Sequence, residues 1–369
     1  MTDLHLLDQA ESRYAAGAYD DAVRLAAEAL RAARGSEPPD PTTLVRVLLL
    51  VGRLDQELGL HDAAEQAYRE AEVSTREQVA ALRVPVLLSL GNLSRLRGRY
   101  QQAEDELTQT LRLAEETVGP RSVEVADVCN ALGMLGKYTG RFDEAESWYR
   151  RALDILDPDD PITADVYHNL GGLDHARGAF AQAEAPARRA VEIRERAYGP
   201  QHVTVAADKA ALASILDALG RSEEAEALLY VAIGVFERPY GDTHYEIAVN
   251  LHNLAAIAHR RGDLAAAEPR YRRALAVKEQ VLGVDHPELA TTLHNLGVVR
   301  RDLGDDAEAA ALFTRAVTIL AGLVEDDHPV LSLCRAHLAA ADIEREVPRF
   351  SRHRRYGGGS RGRRQGGTR

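Results

Sequence analysis

The sequence predicts an all-α protein built as a solenoid of antiparallel helix pairs, and three observations support that prediction. The chain has 369 residues, of which 60 are alanine, whereas aromatic residues make up only 5%. A core of this composition favours closely packed helices over a sheet. A glycine recurs eight times at nearly constant spacing, and an alanine follows each of these glycines five residues later. Such self-similarity is typical of a repeat architecture.

Small residues recur at three fixed distances from the repeat glycines, which are Gly17, Gly59, Gly98, Gly140, Gly178, Gly220, Gly262 and Gly304. Five residues after them come Ala22, Ala64, Ala103, Ala145, Ala183, Ala225, Ala267 and Ala309. Twelve residues after them come Ala29, Ala71, Thr110, Ala152, Ala190, Ala232, Ala274 and Ala316. Seven residues before them lie Ala10, Gly52, Gly91, Gly133, Gly171, Ala213, Ala255 and Gly297. Small residues let two helix axes approach to about 8–10 Å, so these positions predict where the paired helices cross.

The seventh repeat illustrates each element in order. Apolar residues at helical spacing predict a helix A over about 247–260 and a helix B over about 264–281. Between them Gly262 suits the position after a helix end, because glycine enters the left-handed region without a Cβ penalty. Enlarging a crossing residue, as in Ala267→Leu, is expected to cost about 1–3 kcal/mol of stability.

The other elements follow the same register. Segments 35–41 and 156–161 are rich in Pro and Asp and read as turns between repeats. Pro186 and Pro269 fall within B helices, where proline removes a backbone donor, so we expect a local kink or a helix that starts late. Two domains are predicted: a solenoid over 1–346, ending in a helix near 330–346, and a disordered tail over 347–369.

The pattern resembles the tetratricopeptide repeat. In the seventh repeat the matching residues are Leu254, Ala255, Gly262, Ala267, Tyr271 and Ala274. The 42-residue length and the linkers over 283–287 and 326–329 resemble the kinesin-light-chain type of repeat. The resemblance covers about residues 4–346, with eight repeats and a capping helix, and is strongest in repeats 4–8. It implies a right-handed superhelix whose A helices line a concave groove, where relatives bind extended peptides.

Groove candidates lie on one face of the A helices. Nine and ten residues before a repeat glycine stand His168, Asn169, His252, Asn253, His294 and Asn295, with Asn130 in repeat 4. An asparagine amide both donates and accepts, so it can pair with a peptide backbone of any sequence. The resemblance implies that role, but hydrogen bonding between repeats or simple solvation are the alternatives.

Charged candidates accompany these asparagines on the same face. The basic ones are Lys137, His175, His259, Arg260 and Arg301, and the acidic ones are Asp127, Asp165, Asp217 and Asp302. The carboxylate-clamp members of the family use a Lys/Arg/Asn cluster, and only scattered parts of such a cluster occur here. A chaperone-tail clamp is therefore not expected.

Enzyme and metal signatures are missing from the predicted solenoid. Residues 1–346 contain no GxSxG, GxxxxGK[ST] or HExxH motif, and no GxGxxG after a strand. His202, His244, His286 and His328 each lie 24 residues after a repeat glycine. We interpret them as structural residues at helix starts, not as a metal ladder. Cys129 is interpreted as a small core residue, and no catalytic residue, metal or cofactor is expected.

Charge is unevenly distributed along the chain. The net charge is −12, yet segment 349–369 holds eight Arg and no acid, which leaves −20 for residues 1–348. An acidic body argues against non-specific nucleic-acid binding by that body. The basic tail, with Arg352, Arg354, Arg355, Arg361, Arg363 and Arg364, resembles Arg–Gly segments that contact RNA. Docking onto the acidic solenoid, or no role, are the alternatives.

These observations favour a non-catalytic scaffold or adaptor that binds a protein or peptide of unknown identity in its groove. One alternative is a nucleic-acid-associated scaffold that uses the tail. Another is a regulatory or sensor arm acting in trans in a bacterial signalling system. We predict a cytoplasmic protein that does not span a membrane. The chain has only two isolated cysteines, no apolar run at its N-terminus and no long apolar stretch. The sequence does not predict the oligomeric state.

Overall fold

The computed structural model describes residues 3–15, 18–37, 40–77, 82–321 and 329–346, and within these ranges it is all-helical. The helices are α1 Asp3–Ala15, α2 Tyr19–Gly35, α3 Pro41–Glu57, α4 His61–Glu77, α5 Arg83–Leu96, α6 Tyr100–Thr117, α7 Val123–Tyr138, α8 Phe142–Ile155, α9 Pro161–Ala176, α10 Phe180–Tyr198, α11 Val203–Ala218, α12 Ser222–Tyr240, α13 Tyr245–Arg260, α14 Leu264–Leu282, α15 Leu289–Asp302, α16 Asp306–Leu320 and α17 Pro329–Glu346. The predicted all-α fold and the predicted final helix are confirmed.

The chain divides into two compact units, Met1–Gly283 and Val284–Arg369. The first unit contains seven helix pairs, in which an odd-numbered A helix packs on the even-numbered B helix that follows it. The second unit contains the pair α15 and α16, with α17 packed on both. The predicted boundary at 346/347 stays a prediction, because residues 347–369 lie outside the described ranges.

The A helices form the inner layer of the first unit. Within this unit, each A helix up to α11 contacts the A helix of the next repeat, and each B helix up to α12 packs against its own A helix and the next one. No comparable packing joins successive B helices within the described ranges. Because the A helices are spaced more closely than the B helices, the stack curves towards the A side. The A-helix residues that point away from the B helices therefore line the inner face.

The repeat glycines end the A helices as predicted. Gly262 has φ 78°, and the backbone N–H groups of Gly262 and Asp263 donate to the carbonyl oxygens of His259 and Ala258 at 2.9 Å each. This is the Schellman arrangement, which satisfies carbonyls left free at a helix end. The repeat glycines from Gly59 to Gly304 all have positive φ, whereas Gly17 lies outside the described residues.

The small residues mark the helix crossings. All eight residues at the five-residue offset and all eight at the twelve-residue offset are buried. A Cβ added at Gly133 would lie 2.5 Å from the ring of Tyr149, and one at Gly52 would lie 2.3 Å from the ring of Tyr68. An aromatic ring of helix B therefore rests directly on the backbone of helix A, which only glycine permits. Cys129 is fully buried, as predicted.

Pro186 and Pro269 do not delay the start of their B helices. Both lie inside the continuous helices α10 and α14, so the expectation of a late helix start is wrong. Buried alanines on both sides, such as Ala183 and Ala187 around Pro186, anchor the helix across the missing donor.

The linker histidines are structural. His202 and His244 are the N-caps of α11 and α13, and each side chain accepts a hydrogen bond from a backbone N–H two residues later. His286 accepts one from the N–H of Glu288 just before α15, at 3.3 Å. The structural interpretation is confirmed at these three positions, and His328 lies outside the described residues.

Candidate peptide-binding groove

The predicted candidates of the first unit lie on the A helices α7, α9, α11 and α13. Their positions relative to the repeat glycine place them in rows, one residue per helix. Lys137, His175, Asp217 and His259 lie three residues before the glycine, at the ends of the A helices, whereas Asn169 and Asn253 lie nine residues before it. We call this surface, over repeats 4–7, the inner groove.

Asn130 and Asn169 bond to each other across neighbouring repeats. The Nδ2 of Asn169 donates to the Oδ1 of Asn130 at 3.0 Å. Hydrogen bonding between repeats, one of the two alternatives for the asparagines, therefore occurs at this pair. Neither side chain makes a further hydrogen bond to another described residue, so Asn130 Nδ2 and Asn169 Oδ1 keep their capacity for a ligand.

His168 belongs to a charged network that the sequence analysis missed. Its Nδ1 lies 2.7 Å from Oδ1 of Asp208, which is 1% exposed. Arg194, a residue of helix B in repeat 5, donates to the same oxygen at 2.6 Å and also bonds Asp165. One guanidinium thus joins two A helices and compensates the buried carboxylate.

A sequence signal for this network exists. Asp208 lies twelve residues before Gly220, and the equivalent positions of the next two repeats hold Asn250 and Thr292. All three are polar, and all three are buried. A polar row at an otherwise apolar position would have marked Asp208 as a residue with a buried partner.

A cavity of about 280 Å³ opens on the inner groove between α7, α9 and α11. It is lined by Lys137, His168, Gly172, His175 and Asp208, with Ala187, Ala211, Ser214 and Ile215. Burial lowers the pKa of the Lys137 ammonium. Burial and the nearby Lys137 charge lower the pKa of His175, whose ring packs edge-on against Phe180 at 5.2 Å. The cavity therefore presents a cation beside a neutral imidazole.

A second cavity, of about 510 Å³, adjoins the first and shares His175 and Ser214 with it. Its polar lining includes Asn253, Asp217 and Arg260, and the last two form an ion pair. The side chain of Asn253 makes no hydrogen bond to another described residue. It is therefore an available donor and acceptor on the groove wall.

His252 lines the second cavity and also packs against helix B. Its ring stands edge-on to Tyr271 at 5.2 Å. Burial, together with the charge of Lys278, lowers the pKa of His252 to about 4. The imidazole is therefore neutral at pH 7. His259 lies next to Arg260 and is partly buried.

Asp127 carries the groove's most perturbed carboxyl group. Burial, reinforced by the nearby charges of Asp165 and Glu124, raises the pKa of Asp127 to about 6. No ion pair or hydrogen bond joins its side chain to another residue of the described ranges.

The remaining helical candidates lie in the second unit. His294 Nδ1 is 3.0 Å from Oδ1 of Asn295, and the His294 ring packs near Phe313 and His337. Arg301 Nη1 donates to Nδ1 of His337 at 2.7 Å. These side chains form one polar cluster with α17. The tail arginines 352, 354, 355, 361, 363 and 364 lie outside the described residues.

Chemically, the inner groove offers amides, the unpaired ammonium of Lys137, the unpaired carboxyl group of Asp127, and paired charges. Within the described residues no group of three His, Cys, Asp or Glu could hold a metal ion. Burial raises the pKa of the Cys129 thiol to about 11, so this cysteine is protonated and inert at pH 7. None of the described helices is long and apolar enough to cross a membrane.

Stacked helix pairs with a polar inner face define a helical-repeat protein. A family model described as tetratricopeptide repeat matches residues 83–157, 139–196, 162–238 and 246–321. The chain belongs to the tetratricopeptide repeat family. No curated protein matches the sequence closely enough to count as a relative.

Several solved structures have a similar fold. BtubC (BKLC) from P. vanneervenii is 27% identical, with a TM-score of 0.51, and the match covers 62% of this chain and 92% of that one. A Rap protein complexed with competence and sporulation factor is 14% identical, with a TM-score of 0.58, over 93% of this chain and 98% of that one. A signal transduction ATPase with a tetratricopeptide repeat sensor, from Pyrococcus horikoshii, is 12% identical, with a TM-score of 0.61, over 89% of this chain and 49% of that one. Kinesin light-chain-like repeat proteins are also among the matching structures.

Proposed function

We propose that this protein is a non-catalytic scaffold that binds an extended segment of a partner protein in the inner groove. The observation that carries the proposal is the pair of adjoining cavities on the inner face, whose walls hold the unbonded amide of Asn253 and the unpaired ammonium of Lys137. Extended segments need backbone hydrogen bonds for affinity and side-chain pockets for specificity. The groove offers both kinds of contact within α7, α9, α11 and α13.

The asparagines bind the backbone of the segment in this proposal. Asn253 offers its whole amide, and the Asn130–Asn169 pair offers one donor and one acceptor. Asn295 is proposed as a peptide contact of the second unit, where its Oδ1 already lies 3.0 Å from Nδ1 of His294. Lys137, Arg260 and Arg301 supply positive charge that selects among segments, and His175 adds a neutral imidazole beside Lys137.

The test is affinity capture from nuclease-treated host lysate with full-length baits. One bait replaces Asn169, Asn253 and Asn295 with aspartate, which keeps the shape of the side chain but removes its donors. The matched control is Gln66→Glu, the same chemical change on the exposed face of helix α4. A partner captured by the wild type and the control but lost by the asparagine variant supports the groove.

Photo-crosslinking locates the contact. A photoreactive residue at Ser214, on the wall shared by both cavities, should crosslink to the partner, and the same residue at position 66 should not. Crosslinks only at position 66, or equal capture by all three baits, would overturn the groove as the binding site.

A second candidate function rests on the eight arginines of segment 349–369. In that case the protein is a nucleic-acid-associated scaffold, and binding falls steeply with salt. Deleting 349–369 would abolish this binding while leaving capture through the groove intact. A role as a sensor arm acting in trans, as suggested by the domain named in the Pyrococcus structure, predicts an ATPase among the captured partners.

A further inference from the structure

Two charged side chains of α7 have no counter-charge among the described residues, although both are partly buried. Lys137, near the end of the helix, lines the smaller cavity and makes no ion pair or hydrogen bond to another described residue. Asp127, near the start of the same helix, has only the acids Asp165 and Glu124 as charged neighbours that affect it. Partly buried charges without partners lower stability, and such groups are typical of binding sites.

Neighbouring charges do not compensate Lys137. Asp208 lines the same cavity, but Arg194 and His168 already engage its Oδ1. Arg95, on the preceding A helix, is itself a cation and cannot act as a counter-charge. It is buried and lies over the ring of Tyr138 at 5.1 Å. The other oxygen of Asp208, Oδ2, has no hydrogen-bond partner, so Lys137 bonds neither oxygen of this carboxylate and forms no ion pair within the described ranges.

Glycine at position 172 makes room for this cation. A Cβ added to Gly172 would lie 2.8 Å from Nζ of Lys137. The ammonium therefore rests against the backbone of α9 at the cavity wall. Any larger residue at 172 would displace it.

We infer that the inner groove at α7 binds a segment carrying one acidic and one basic side chain, the acidic group at Lys137 and the basic group at Asp127. This inference rests on the proposed groove function and adds the chemistry of the bound segment. The two residues are ten positions apart, about 15 Å along the helix. An extended chain covers that distance in about four or five residues.

Charge order then sets the direction of the bound segment. A segment with its acid ahead of its base and one with the reverse order must lie in opposite directions to satisfy both sites. The amides of Asn130 and Asn169 meet a different backbone pattern in each direction, so one order binds more tightly. Exchanging the two charges of α7 should reverse that preference.

The experiment uses the full chain and short synthetic peptides in an alanine–serine background. Each peptide carries one Lys and one Glu in either order, at every separation up to about eight residues, and Glu/Glu and Lys/Lys peptides complete the set. Wild-type protein should bind mixed peptides best at a separation of about four or five residues. Lys137→Met should weaken that binding about tenfold, whereas Arg31→Met, which removes an exposed cation of helix α2, should not.

The decisive variant is the double exchange Asp127→Lys with Lys137→Asp. It should prefer the opposite charge order. An unchanged order, equally tight binding of Glu/Glu peptides, or no binding by any mixed peptide would overturn the inference. Thermal unfolding checks that the variants fold. Lys137→Met and Asp127→Asn should each raise the unfolding temperature, because each removes an unpaired charge.

Lysate capture separates this inference from the function on which it rests. If capture is lost in the asparagine variant but unaffected by Asp127→Asn and Lys137→Met, the groove function stands and the charge inference fails. If capture depends only on segment 349–369, the groove function itself fails.

Discussion

At the scale of single residues, the tightest constraint is the contact between a glycine of helix A and a ring of helix B. Gly133→Ala places a methyl group 2.5 Å from the ring of Tyr149, which is fully buried and cannot move aside. We expect a loss of about 1–3 kcal/mol in the free energy of unfolding. The matched control is Gly234→Ala in α12, where a Cβ would meet nothing within 4 Å. That change should stabilise by about 0.4–1 kcal/mol, since alanine favours a helix interior. Denaturant titration of both variants measures the contrast, and equal effects of the two changes would contradict it.

A second residue-scale prediction concerns His252. Its folded pKa, about 4, lies below the ordinary value of 6.5, because burial disfavours the charged form. The unfolded chain therefore binds the proton more readily, and stability present above pH 6.5 is lost as the pH falls towards 4. The loss should reach about 2–3 kcal/mol. His252→Gln should lower stability at pH 7.5 but flatten its dependence on pH between 6.5 and 4. An unchanged slope in that variant would assign the pH dependence to other groups.

At the scale of helices, one recurring ion pair joins successive repeats of the first unit from the second repeat to the seventh. An acid six residues after a repeat glycine pairs with an arginine beside the following repeat glycine. The pairs are Glu65–Arg97, Glu104–Arg141, Glu146–Arg177, Glu184–Arg221 and Glu226–Arg261. This ladder holds successive helix pairs in register on the turn side of the stack.

The pair Glu146–Arg177 is suited to a test of these ion pairs. Its Nη1 and Oε2 atoms lie 2.6 Å apart, and both side chains are about a quarter exposed or less. A double-mutant cycle with Glu146→Gln and Arg177→Gln should give a coupling of about 0.5–1 kcal/mol. Salt at about 1 M should reduce that coupling, because a partly exposed pair is screened. A coupling that is near zero at low salt would mean that packing alone sets the register.

Local features of the helices could be predicted from the sequence, whereas a side-chain network between helices could not. The turn at Gly262 and the crossing at Ala267 follow from local rules, because a left-handed turn and a close crossing each demand one residue type at one position. The predicted bounds of α13 and α14 therefore agree with the structure within about two residues. The network of Arg194, Asp208 and His168 could not be located this way. It joins three helices of two repeats, and its geometry depends on how far one long side chain of helix B reaches.

At the scale of the whole molecule, a stack in which each repeat touches only its neighbours should respond locally to damage. In the first unit α7 contacts α5, α6, α8 and α9, and it does not pack on the first repeat within the described ranges. Ala145→Leu enlarges a fully buried crossing residue of repeat 4, at a cost of about 1–3 kcal/mol. Hydrogen exchange should accelerate most in α7 and α8, less in α6 and α9, and least in α1 and α2, because stability in such stacks is a sum of repeat and nearest-neighbour contributions. The parallel change Ala22→Leu, in the first repeat, should instead affect α1 to α3. Uniform acceleration across the first unit in both variants would mean that it unfolds as one cooperative body. The inner groove could then not open or close at one repeat independently of the others.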